Sequence, residues 1–108
     1  MIVSLDLARR YCRASSTDDA VLTVLVEAAE GWASMFLNRQ VFADQSALET
    51  AVAAGTAGES PMAVNAAFTA AVLEIVSDRY DNREDSAKGN TMMRAERLLW
   101  PYRIGLGV

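Results

Sequence analysis

The chain has 108 residues, enough for a single domain over 1–108 that buries a modest core without staples. It has no histidine and one cysteine, Cys12, which excludes the usual general base, the commonest metal ligand and any internal disulfide, so neither catalysis, metal nor cofactor is expected. Fourteen acidic residues against ten basic ones give a net charge of −4, the wrong sign for gripping nucleic-acid phosphates over a broad surface.

The opening residues lack a basic segment followed by an apolar core, and no apolar run approaches the roughly 18–20 residues a bilayer span requires, so a soluble protein without membrane contact is expected. Ser4 stands ready to cap a helix over Leu5–Cys12, with Asp6 in its first turn and Arg9, Arg10 and Arg13 near its far end. Those three arginines read more simply as complements of the helix dipole than as a ligand patch. Cys12, with no histidine to activate it, reads as a small core residue.

A second helix is predicted over Asp19–Leu37, after the possible caps of Ser16, Thr17, Asp18 and Asp19. It carries two apolar rows: Val21, Leu25, Ala28, Trp32 and Phe36 in one, and Leu22, Val26, Ala29 and Ala33 in the other. Thr23, Glu27, Glu30 and Ser34 remain as a narrow polar stripe facing solvent. Gly31 inside a helix costs about 1 kcal/mol against Ala, which suggests that another backbone passes close by. Asn38 tolerates the left-handed conformation and stops the helix.

Residues 39–42 read as extended. Residues 43–58 turn rich in Ala, Gly and Thr and are expected as a long flexible loop to residue 59, with at most a short helix over 47–54 capped by Ser46. Residues 60–85 read as one long helix, with Ser60 as its cap and Pro61 in its first turn, and with Phe68, Val72, Ile75 and Val76 along one face. Asp78, Asp81, Glu84 and Asp85 cluster at its polar end, interleaved with Arg79 and Arg83, the pattern of a solvated, salt-bridged helix end. A last helix over 92–100, capped by Thr91, ends at Pro101. The fold expected is all-α: a small bundle of about four helices with the long loop between the second and third main ones.

Two helices with apolar surface on more than one face point to a domain that completes its burial against copies of itself. Leu22, Val26, Leu73, Tyr80 and Arg83 are the expected subunit interface, with Leu73 facing outward. Leu99, Trp100, Pro101, Tyr102 and Arg103 concentrate the residue types that dominate interface energetics, in a tail that Pro101 and two glycines keep out of regular structure. Residues 101–108 are therefore the expected docking segment.

Several of these stretches together resemble the head–tail connector (adaptor) proteins of long-tailed bacteriophages and prophages. They are Met1-Ile2-Val3-Ser4-Leu5 with Ala8, the pair Asp18-Asp19, the helix with Ala28, Ala29 and Trp32, the stop at Asn38-Arg39-Gln40, Tyr80 to Glu84, and the ending Leu98 to Arg103. The resemblance implies a structural virion protein, assembled in the bacterial cytoplasm, that forms a dodecameric ring under the portal. Such a ring would extend the DNA channel without binding DNA specifically, and would meet the portal protein on one side and a tail-side completion or terminator protein on the other. A small dimeric helical regulator or toxin–antitoxin partner is the alternative that the residues alone leave open.

Overall fold

The structure, a computed structural model, describes residues 1–58, 60–81 and 90–104. Helix α1 (Leu5–Cys12) forms where Ser4 caps it, the Ser4 hydroxyl accepting from the Leu7 N–H at 3.0 Å, and it stops at Arg13 in the left-handed conformation. A 3-10 turn (Ser16–Asp18) leads into α2 (Asp19–Leu37), which Asn38 ends with φ 58°. Strand β1 (Val41–Phe42) follows, then α3 (Gln45–Ala54), strand β2 (Met62–Ala63), α4 (Ala66–Asp81), α5 (Asn90–Leu99) and a 3-10 turn (Trp100–Tyr102). The expected all-α architecture holds, with one small parallel strand pair added, Val41 against Met62 and Phe42 against Ala63.

Two expectations give way. The long helix over 60–85 starts at Ala66, because Met62 donates to the Gln40 carbonyl and Val64 to the Phe42 carbonyl, which holds 62–64 extended. Arg39 completes that hold, donating to the carbonyls of Ser60 (2.7 Å) and Pro61 (3.3 Å). Ser60 therefore caps nothing, and the Asn65 side chain takes that role at the Phe68 N–H, 2.8 Å away. The segment expected as a flexible loop contains α3, which the Asp44 carboxylate caps at Ala47, in place of Ser46, and which Gly55 ends at φ 76°. The expected end of the long helix, from Asn82 to Asp85, lies outside the described residues.

Helix α4 is the spine: α1, α2 and α5 all pack against it. Phe68, Ala71, Val72, Leu73, Ile75 and Val76 of α4 meet Leu22, Val26, Ala29, Ala33 and Leu37 of α2, Ala8 and Cys12 of α1, and Ala95 and Leu99 of α5. A large side chain as fully buried as Phe68 contributes about 1.5–3 kcal/mol over leaving it in water. The body measures 39 × 32 × 18 Å, so along its thinnest direction it is about two helices deep. Helix α3 packs on the strand pair and buries none of its residues.

One carboxylate sits in this core. Glu30, expected on the solvent side of α2, is buried because it accepts the N–H groups of Ile2 (2.8 Å) and Val3 (2.5 Å) and so ties the N-terminus over the bundle. Removing a charged acceptor leaves buried donors unpaired, at about 1–3 kcal/mol each. Glu30→Ala should therefore lower the unfolding free energy measured in urea by about 2–4 kcal/mol, whereas Glu27→Ala on the exposed side should change it by less than about 0.5 kcal/mol. Equal effects would mean that Glu30 does not anchor the N-terminus.

Candidate functional site

Among the described residues every buried side-chain nitrogen or oxygen has a hydrogen-bond partner, and no group of three or more His, Cys, Asp or Glu side chains could hold a metal ion. The features available for function are surfaces, and the most unusual is the outer side of α2. Leu22, Val26, Ala29, Glu30, Ala33 and Leu37 face the core; on the opposite side Val21, Val24 (64 % exposed), Ala28, Gly31 and Met35 (83 % exposed) lie in water. Their spacing of three and four residues makes one continuous stripe along the helix. By length and composition the helical stretch Ser16–Leu37 is apolar enough to cross a membrane, contrary to the expectation from the sequence. Its apolarity is the sum of two faces, one buried in the bundle and one not.

Leu25, Trp32 and Phe36 are half-buried at the edge between those faces. Trp32 stacks on Phe36 with ring centroids 5.3 Å apart, and Trp100 lies against Phe36 at 6.3 Å. Gly31 has nothing within 4 Å of the place a Cβ would occupy. The close backbone approach expected there is not made among the described residues.

The expected interface residues fall in a different place. Leu22, Val26 and Leu73 (6 % exposed) belong to the chain's own core, so their side chains offer no surface to a neighbour; Leu73 points inward because α5 and α2 enclose α4 on that side. Tyr80 is half-buried and donates to Asp18 at 2.5 Å, joining the end of α4 to the turn before α2. Arg83 lies outside the described residues. The exposed stripe takes Val21 and Ala28 from one predicted row and Val24, Gly31 and Met35 from neither, while Leu25, Trp32 and Phe36 of that row turn to the edge of the core, a rotation the helix alone does not reveal.

As far as Ile104 the C-terminal segment is not the free tail expected, and residues 105–108 of that tail lie outside the described residues. Leu99 is fully buried, and Trp100–Tyr102 form a 3-10 turn. Arg103 donates to the Phe36 carbonyl at 2.8 Å, its guanidinium 4.5 Å from the Phe36 ring centroid and 5.3 Å from that of Trp100. Ile104 donates to the Leu37 carbonyl, and Arg39 to the Tyr102 carbonyl. Arg39, which sequence reasoning missed, thus joins the end of α2, the approach to β2 and the C-terminal turn. Trp100 (59 % exposed), Pro101 and Tyr102 remain at the surface. Beside Trp100, α5 carries two shallow concavities: one of about 170 Å³ lined by Met93, Glu96, Arg97 and Trp100, the other of about 290 Å³ lined by Glu74, Arg94, Arg97 and Leu98.

At the other end, Arg9 bonds Asp19 through Nε (3.0 Å) and Nη2 (2.8 Å), and this hydrogen bonding is the main cause that holds its pKa above the ordinary value. Arg10 pairs with Asp6 at 3.1 Å. Two of the three arginines of the N-terminal helix end are therefore engaged within the chain. Burial pushes the Cys12 thiol up, as does the charge of Asp81, against a lowering hydrogen bond from Ser77.

A family model described as phage gp6-like head-tail connector protein matches residues 5–99. No curated protein and no solved structure matches the chain. For the one thiol, a raised pKa means a neutral, slow nucleophile at pH 7 to 8. Iodoacetamide should alkylate Cys12 at least about tenfold more slowly in the native protein than in urea, and equal rates would show that the thiol is neither buried nor shifted upward.

Proposed function

Because the chain belongs to the phage gp6-like head-tail connector family, a structural rather than enzymatic family of the virion's head–tail junction, we propose that it acts as one subunit of an oligomeric ring beneath the portal. The observation that carries this is the outer side of α2. A stripe of Val21, Val24, Ala28, Gly31 and Met35 held in water is costly at roughly 25 cal/mol per Å² of apolar surface, and a neighbouring subunit removes that cost. A ring also gives such a small domain what the junction needs: a passage for DNA, one side for the portal and one for a tail-side completion or terminator protein.

The acidic balance fits the passage. A wall with net charge −4 per subunit gives phosphates little to bind, so DNA slides through without being held. Docking to the portal falls to the exposed edge of the C-terminal turn, Pro101 and Tyr102, since Leu99 and Arg103 are engaged at home. Because the turn is already ordered by Arg39, Arg103 and Ile104, binding there carries little additional ordering entropy.

Val24→Glu should give monomers of unchanged helicity in light scattering and circular dichroism, while Leu73→Glu should unfold the chain, because it places an unpaired charge in the core. A Val24→Glu protein that assembles as the wild type does would remove the basis for the ring. Tyr102→Ala should leave assembly and melting temperature unchanged and weaken attachment to DNA-filled heads by about 30-fold, the scale of a 2 kcal/mol hot spot; undiminished attachment would move docking elsewhere.

A further inference from the structure

Resting on the ring just proposed, we infer that the outer face of α2 is covered by the α5 face of a second copy of this chain, with Glu27 of one copy opposite Arg97 of the next and Trp100 seated over Gly31. From Asp19 to Leu37 the helix contains no lysine or arginine. Its exposed side carries one charge, Glu27, which has no hydrogen bond or ion pair among the described residues. Two copies meeting stripe to stripe would set acidic helices against each other with no cation between them. Whatever covers this face must supply one.

Helix α5 supplies it in matching form. Arg97 stands between the two concavities and lines both, and it too is without a hydrogen bond or ion pair among the described residues, whereas Arg94 is engaged by Glu74 at 2.9 Å. Met93, Arg97 and Trp100 follow one another at helical spacing over about 10 Å, and Val24, Ala28, Gly31 and Met35 over about 16 Å, so the shorter row fits along the longer. Trp100 offers a large exposed ring, and the space at Gly31 next to the small Ala28 is a notch open to receive one. The apolar side of α1, with Leu7 and Tyr11 exposed, is the poorer match, because Arg9 and Arg10 are already paired with Asp19 and Asp6 and the remaining Arg13 lies past the helix end, in its left-handed cap. A contact between two different faces propagates from copy to copy, the kind of contact a closed ring requires, while a self-complementary one would stop at a dimer.

The test is a charge exchange in the full chain, followed by sedimentation velocity and native mass spectrometry, with circular dichroism to confirm folding. Glu27→Arg and Arg97→Glu should each weaken assembly at least about tenfold in the concentration required, and the double variant should recover most of that loss. Gly31→Leu, which has room inside the single chain, should retain full helicity and weaken assembly at least as much, because it fills the notch. A double variant no better than either single one, or a ring indifferent to Arg97→Glu, overturns this pairing while leaving the ring itself intact. A wild-type chain that stays monomeric overturns both.

Discussion

The structure depends on one constraint: α2 is apolar on two opposite sides, and a chain of this size can cover only one of them. Leu22, Val26, Ala29, Ala33 and Leu37 reach α4 and build the core, and in a body about two helices deep no third layer among the described residues covers Val21, Val24, Ala28 and Met35. Neither side is dispensable on compositional grounds. The inner one makes the domain, and the outer one is the basis of the ring proposed above.

Four polar residues hold the inward side of α2 in place. Glu30 collects the Ile2 and Val3 N–H groups, which fixes the rotation of α2 about its axis by requiring a carboxylate under the N-terminal segment. Arg9 bonds Asp19 and sets α1 against the start of α2. Arg39 and Arg103 gather the carbonyls of Ser60, Pro61, Tyr102 and Phe36 around the other end, so that the strand pair and the C-terminal turn close over the same helix. All of these bonds run between segments distant in sequence. They order the N-terminal segment and the C-terminal turn, and they leave the outer stripe of α2 untouched.

What the sequence reveals about the fold follows the range of the interactions involved. The bounds of α1 and α2 are legible to the residue because their signals are satisfied locally, Ser4 at Leu7 and Asn38 in its own left-handed turn. The start of α4 is not, because a Ser-Pro pair that is a sound local cap is overridden by Arg39 and by pairing with β1, both some twenty residues away. Glu30 is misplaced for the same reason: a glutamate between apolar neighbours reads as surface until its partners, the first backbone amides of the chain, are known. For the interaction surfaces, the chemistry of Trp100, Tyr102 and Arg103 is evident in sequence, but not that Arg103 stacks on Phe36 and closes half of the expected docking segment against its own domain. The doubled apolarity of α2 could be read in the sequence. That Val24 and Met35 stand in water while Leu22 and Leu73 are buried required the packing of α4.

The central claim is that the outer face of α2 is an interface, and the mass of the wild-type particle tests it most directly. Sedimentation velocity across a wide range of concentration should show one closed species at a fixed multiple of the 11.7 kDa chain, in place of an open series. A sharp 11.7 kDa monomer at every concentration and salt would mean that the stripe is tolerated in water, and would contradict the account at its base.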